Sequence, residues 1–342
     1  MSRFTVVIAD NRYASYAEET AVLSEIDAQV RVFSSSDAGE ARAAFAEADA
    51  ILVNLFPMTA EVIEGMPRCR VISRYGVGYD NVAVEAATRR GIWVTFVPDY
   101  CFEEVADHAL ALLLCCIRKV GYKDRMIRQG RWNLHRDQPC YRVEGRTLGI
   151  LGYGNAAHTL LRKVSGLGFG RILMCDPYVR ASTIKSAGAV PVDLPRLLSE
   201  SDYISVHVPL TEETRHMIGR AELARVKRGA ILVNTARGPV LDEQALAEAL
   251  DSGQLGGAGL DVFEKEPLPA DSPLRKLDTV VFTDHAGWYS EESVVELKTK
   301  AARNAAAVLQ GNVPPYPVND VRAGRGEAEV RQRGGGPAGG SR

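Results

Sequence analysis

Short apolar runs alternate with longer amphipathic stretches along most of the chain. Phe4–Asp10 (FTVVIAD), Ala50–Leu55 (AILVNL) and Arg70–Gly76 (RVISRYG) are brief and almost continuously apolar, which predicts buried strands. Alanine-rich amphipathic segments such as Asp37–Ala48 predict helices between them. A second series follows: Thr147–Gly154 (TLGILGYG), Arg171–Asp176 (RILMCD), Tyr203–Leu210 (YISVHVPL), Ala230–Gly238 (AILVNTARG), Gly257–Phe263 (GAGLDVF) and Thr279–Gly287 (TVVFTDHAG). Helical patterns at Ala156–Leu167 and Asp242–Leu250 fill its gaps. Strands that are apolar on both faces belong to parallel sheets covered by helices on each side. The two series therefore predict an α/β protein with two doubly wound parallel sheets.

The predicted helix Glu103–Ile117 leaves the first series, and the predicted helix Glu291–Leu309 follows the last strand and returns the chain to the first domain. Between the domains, Arg118–Arg146 is rich in charge and carries Tyr122, Trp132 and Tyr141 but few aliphatic residues. Such an arm is expected to pack on a second subunit. The segment from Arg322 to Arg342 is Gly- and Arg-rich with almost no apolar residues, and it is expected to be disordered because it cannot bury enough surface to offset its ordering entropy.

Composition narrows the function. The 342 residues include 41 Lys plus Arg and 43 Asp plus Glu, a net charge of −2, which offers no electrostatic footprint for nucleic acid or an anionic membrane. A small-molecule partner is expected instead. The six cysteines show no CxxC pair and no regular spacing, so neither a metal site nor a disulfide framework is expected. No secretory signal is expected of Met1–Ala9, and the longest apolar run, Ala109–Ile117, is far below the ~18 residues of a spanning helix. These features predict a cytoplasmic protein.

The sharpest chemical signal lies after the strand at 147–151. Gly152-Tyr153-Gly154-Asn155-Ala156-Ala157 joins a strand to a helix: the first glycine permits a tight turn, and the second lets a pyrophosphate approach the helix N-terminus. Ala157 stands where a third glycine is usual, a position that requires only close helix–strand packing. Asp176 ends the next strand, 24 residues after Gly152, where a carboxylate accepts hydrogen bonds from ribose hydroxyls and repels a 2′-phosphate. The combination points to NAD.

Three later strand ends carry Arg237, Glu266 and His285. Singly these read more readily as a helix-cap cation, a surface charge and a satisfied loop histidine. Their recurrence after three consecutive strands suits one site, because ligands bind beyond the carboxyl ends of strands in such sheets. Histidine is the natural proton carrier at neutral pH, a carboxylate orients it and stabilises its cation, and arginine holds a substrate carboxylate while polarising the carbonyl. The turn Arg74-Tyr75-Gly76-Val77-Gly78 is a further candidate anion cradle, its glycines leaving N–H groups available.

Together these motifs resemble the D-isomer-specific 2-hydroxyacid dehydrogenase family. RYGVGYDNV (Arg74–Val82), VPDYC with EEVADHALALLL (Val97–Leu114), GYGNAA, VNTARGPVLDE (Val233–Glu243), GLDVFEKEP (Gly259–Pro267) and HAGWYSEES (His285–Ser293) occur in the family's order. The resemblance implies a Rossmann NAD domain (103–289, with a dimerisation arm at 118–146) inserted into a flavodoxin-like substrate domain (1–102 and 290–321), and a homodimer. It implies catalytic Arg237, Glu266 and His285. It also implies cofactor contacts from Gly152, Gly154, Asn155, Ala156, Asp176, Val208, Ala236 and Asp261, and substrate contacts from Arg74, Val77, Gly78, Arg237 and Trp288. Trp288 is similar to the branch containing C-terminal-binding proteins. Three positions depart from the family pattern: Asn155 replaces a frequent arginine, Phe96 a usual asparagine, and Asp284 a usual proline.

The expected activity is NAD(H)-dependent interconversion of a small 2-hydroxy acid and its 2-oxo acid, with histidine as general acid and base. Two alternatives remain at this stage. One is an NAD(H)-gated binding or regulatory protein; the other is a dehydrogenase acting on a non-carboxylic oxyanion such as a phosphonate.

Overall fold

A computed structural model describes residues 2–34, 38–132 and 139–322. The chain divides into two units, one formed by residues up to Tyr100 with the segment from Glu291, the other by Cys101–Ser290. The expected disordered tail, apart from Arg322, and part of the expected arm (133–138) lie outside the described residues.

The first unit is built on strands β1 (Phe4–Ile8), β2 (Ala28–Val32), β3 (Ala50–Val53), β4 (Val71–Arg74) and β5 (Trp93–Thr95), in the order β2-β1-β3-β4-β5 with every pairing parallel. This is the flavodoxin-like order. β1, β3 and β4 are the apolar runs seen in the sequence. β2 (AQVRV) escapes that pattern because it is an edge strand whose Gln29, Arg31 and Val32 are exposed. β5 is only three residues long. Helix Glu291–Leu309 packs on β3 and β4 through Leu297, Ala301, Ala302 and Ala305, small side chains that permit close approach. Ser73 donates to the Ala301 carbonyl at 2.9 Å, a bond between β4 and the returning helix.

The second unit carries β6 (Thr147–Leu151), β7 (Arg171–Cys175), β8 (Val190–Pro191), β9 (Tyr203–Val206), β10 (Ala230–Asn234), β11 (Leu255–Leu260) and β12 (Val280–Phe282). Their order is β12-β11-β10-β9-β6-β7-β8, again parallel throughout. Chain order reverses between β6 and β9, the switch point of a Rossmann sheet, and β10, β11 and β12 lie side by side beyond it. Helix Phe102–Arg118 buries Ala106, Ala109, Leu112, Leu113, Cys116 and Ile117 as one stripe. Glycine in β11 lets it sit close: a Cβ on Gly259 would lie 2.9 Å from Leu112 Cβ. All six cysteines are free, and burial pushes the Cys69 and Cys116 thiols up to about 12, so both behave as buried apolar groups. No helix among the described residues is long and apolar enough to cross a membrane.

The first unit also contains a buried charge cluster. Lys298, 3% exposed, donates to the Ser15 carbonyl at 2.6 Å and to Glu18, and lies 3.5 Å from Glu19. Glu19 is fully buried and accepts from the Tyr75 hydroxyl at 2.8 Å; burial raises its carboxyl above the usual range. Removing one partner of such a cluster strands the other. Lys298→Met is expected to cost about 3 kcal/mol in urea unfolding at pH 7. Glu19→Gln, which preserves an acceptor for Tyr75, is expected to cost less than about 1 kcal/mol.

Candidate active site

The glycine turn after β6 has the geometry its sequence requires. Gly152 has φ +96°, and a Cβ there would lie 2.9 Å from the His207 carbonyl oxygen, so both conformation and space demand glycine. Gly154 precedes helix Asn155–Lys163; a Cβ there would meet nothing within 4 Å, and no side chain caps the helix. The expected cofactor positions Asn155 and Ala156 form its first turn, and Ala157 is fully buried against the sheet. Asp176, at the end of β7, accepts from the Tyr153 N–H at 2.9 Å and the Tyr178 N–H at 2.9 Å, which fixes its carboxylate beside the turn. Open space over an uncapped helix N-terminus, flanked by an oriented carboxylate, fits the pyrophosphate and ribose of a dinucleotide.

Val208 is half-buried just beyond β9. Neighbouring His207 went unnoticed in the sequence; its Nε2 is 2.8 Å from Ser205 Oγ, and burial pushes the imidazole down to about 4, so it is neutral at pH 7.

Arg237, Glu266 and His285 follow β10, β11 and β12, so the order of strands brings their loops together. His285 Nδ1 is 2.7 Å from Glu266 Oε2, and Glu266 Oε1 accepts from the Phe263 N–H at 3.1 Å. Burial would raise the Glu266 carboxyl, but the hydrogen bond and charge of His285, the Phe263 amide and the charge of Arg237 hold it below the ordinary range. Arg237 is half-buried, with Nη1 donating to the Ala236 carbonyl at 2.8 Å. Its turn is shaped by fully buried Asn234, which accepts from the Ala236 N–H at 3.0 Å and donates to the Arg237 carbonyl at 2.9 Å. Gly238 then presses against the loop leading to Glu266; a Cβ would overlap the Phe263 carbonyl carbon at 1.8 Å.

Asp261 has more to do here than its sequence position suggested. It is 2% exposed at the end of β11. Its backbone carbonyl accepts from His285 N–H at 2.8 Å, and its carboxylate accepts from Ala286 N–H at 2.8 Å, Gly287 N–H at 2.9 Å and Thr283 Oγ1 at 2.6 Å. His108 Nε2, on helix Phe102–Arg118, lies 3.3 Å away. Three consecutive amides thus converge on one residue and hold His285 at φ +59°, a left-handed conformation costing about 1–2 kcal/mol for a residue with a Cβ. Burial alone would raise the Asp261 carboxyl, yet bonds from His108, Thr283, Gly287 and Ala286 bring it down to about 2.

The remaining expected residues fall as follows. Trp288 is half-buried, edge-on to Tyr289 at 5.8 Å, and Asp284 is exposed. Arg74, Val77 and Gly78 belong to the first unit, at and after the end of β4. Val77 is 46% exposed, and the Arg74 guanidinium turns back onto the Tyr75 carbonyl. Phe96 packs edge-on against Tyr79 at 5.7 Å, and its carbonyl accepts from Asn304 at 3.0 Å. Sequence reading did not single out His108, Thr283, Asn234 or Gly238. The glycine and asparagine in VNTARG were visible as a motif, but nothing local marked His108 or Thr283.

Comparison with known proteins decides the family. The family D-isomer specific 2-hydroxyacid dehydrogenase, NAD binding domain, matches residues 110–287. The chain belongs to that family. It is 47% identical over 266 residues to a glyoxylate reductase of Korarchaeum cryptofilum, covering 77% of this chain and 80% of that protein. A D-3-phosphoglycerate dehydrogenase of Methanocaldococcus jannaschii is 39% identical over 77% of this chain but only 50% of its own length. Among solved structures, a D-lactate dehydrogenase from Aquifex aeolicus, complexed with NAD and lactic acid, is similar with TM-score 0.80 and 27% identity, covering 90% of this chain and 96% of that one. This D-2-hydroxyacid dehydrogenase family member is an NAD-dependent oxidoreductase acting on CH–OH groups, and its second unit carries the NAD-binding domain.

The depressed Asp261 carboxyl makes a pH prediction. A carboxyl whose pKa is lower folded than unfolded stabilises the fold above its unfolded value near ~4, and that stabilisation is lost as pH falls toward the folded value. For a group this buried the contribution is about 2 kcal/mol at neutral pH. Asp261→Asn, which keeps one acceptor oxygen and turns the other position into a donor, is expected to lose about that much at pH 7 and to show a flatter decline between pH 4 and 2. Urea denaturation at several pH values measures both.

Proposed function

We propose that the protein reduces a small 2-oxo acid of the glyoxylate type to the corresponding 2-hydroxy acid with NADH, and catalyses the reverse oxidation. The observation that carries this reading is the 2.7 Å hydrogen bond between Glu266 and His285 Nδ1, with Arg237 close enough to lower the Glu266 carboxyl. The name of the Korarchaeum cryptofilum relative supports the substrate class. NADH, when bound, supplies the hydride that reaches C2. Glu266 accepts a hydrogen bond from the Nδ1–H of His285, which orients the ring so that Nε2–H gives its proton to the carbonyl oxygen as hydride arrives. The negative Glu266 stabilises the imidazolium before transfer. Arg237 holds the substrate carboxylate and favours negative charge on the reacting oxygen. In the oxidation, His285 takes the hydroxyl proton instead.

A gated binding protein has no need for a proton carrier held by a carboxylate, so the same hydrogen bond supports turnover over that alternative. A homodimer built on the arm is part of the proposal; Val120 (54%), Ile127 (47%), Trp132 (82%) and Tyr141 (56%) leave its apolar groups exposed. Sedimentation analysis tests it.

The decisive assay follows NADH oxidation across a panel of 2-oxo acids. Turnover with glyoxylate or a close analogue is expected. His285→Asn is expected to lower kcat by ~10²–10⁴ with NADH affinity retained. Arg237→Ala is expected to lower kcat/KM by ~10²–10³. NADH binding without turnover on any acid would overturn the proposal and favour the gated binding protein. Turnover on a phosphonate analogue alone would overturn the carboxylate assignment.

A further inference from the structure

Besides Asp261, His108 is a titratable side chain that bonds to the loop carrying His285. Its Nε2 lies 2.8 Å from Thr283 Oγ1. Thr283 has a single hydroxyl proton, and that proton goes to the Asp261 carboxylate, 2.6 Å away. A carboxylate held at about 2 has no proton of its own to offer at neutral pH. Toward His108, Thr283 can therefore only accept, and His108 must carry its proton on Nε2. The donors all point toward Asp261: His108 to Thr283 and, at 3.3 Å, to Asp261 itself, and Thr283 to Asp261, which also accepts the amides of Ala286 and Gly287.

We propose that His108 is a positioning residue for the reaction, acting through Thr283 and Asp261 to fix the backbone conformation from which His285 reaches its substrate. The local structure serves that placement. Helix Phe102–Arg118 is tied to the glycine-turn helix Asn155–Lys163 by Lys163 to Asp107 at 2.7 Å and to Glu103 at 2.8 Å. Gly287 keeps the space clear, since a Cβ there would lie 2.8 Å from Asp261 Oδ2 and 3.4 Å from His108 Cδ2. The His108 ring also lines a cleft of about 350 Å³ with Glu104, Asp107, Ala111, Gly287 and Tyr289, so it can be replaced without opening the main core.

This proposal rests on His285 as proton carrier, and the experiment separates the two. Steady-state kinetics on purified full-length protein compare His108→Leu, His108→Gln, Thr283→Val and the His108→Leu/Thr283→Val double variant, with His285→Asn alongside. His108→Leu is expected to lower kcat ~10–100-fold with KM for the oxo acid within about threefold, because a displaced reacting group costs rate rather than binding. His108→Gln, whose amide nitrogen takes the place of Nε2–H, is expected to recover most of the loss. The double variant is expected to lose less than the product of the two single losses, since both residues act on Asp261. Wild-type kcat in His108→Leu, no rescue by glutamine, or multiplying losses in the double variant would overturn the positioning role. Full turnover by His285→Asn would overturn the proton-carrier reading instead, whatever the His108 variants do.

Discussion

Everything distinctive in the second unit's chemistry hangs on a buried carboxylate. Asp261 ends β11 almost without solvent contact, and its carbonyl and carboxylate together accept the N–H groups of His285, Ala286 and Gly287. Burying an anion is costly unless it is surrounded by donors. Here the surrounding donors belong to the loop that must hold a histidine in an unfavourable left-handed conformation. Each expense offsets the other: the loop satisfies the anion, and the anion fixes the loop.

The fold determines why that arrangement is available. In a parallel sheet every strand delivers its carboxyl end to the same edge, so consecutive strands place consecutive loops side by side. β10, β11 and β12 bring an arginine, two carboxylates and a histidine to neighbouring positions, although they are spread from 237 to 285 in the chain. The dinucleotide fingerprint sits at the switch between β6 and β9 on that edge. The glycines fit the same logic: Gly238 and Gly287 allow backbone to approach within distances that any side chain would forbid.

Much of this was legible in the sequence. Continuous apolar runs announced the central strands because buried parallel strands are apolar on both faces. The polar residues following them stood out against that background. The edge strand β2, with its exposed Gln29 and Arg31, gave no such signal, nor did the two residues of β8. Arg237, Glu266 and His285 were visible as types placed after strands, and the structure puts His285 and Glu266 in direct hydrogen-bond contact. His108 and Thr283 were not visible. Their partnership spans 175 positions, and a histidine on an amphipathic helix looks the same whether it meets water or a threonine. The structural role of Asp261 is equally hidden, because nothing in GLDVF indicates that its acceptors are filled by a loop more than twenty residues away.

Nitrogen NMR of the histidine side chains reads directly where the protons of this network sit. Long-range ¹H–¹⁵N spectra of uniformly labelled protein, assigned with His108→Gln and His285→Asn and recorded above the imidazole titration range, report the tautomer of each ring. His108 is expected to be protonated on Nε2, donating to Thr283, and His285 on Nδ1, donating to Glu266. A His108 ring protonated on Nδ1 alone, or a His285 ring protonated on Nε2 alone, would contradict that network.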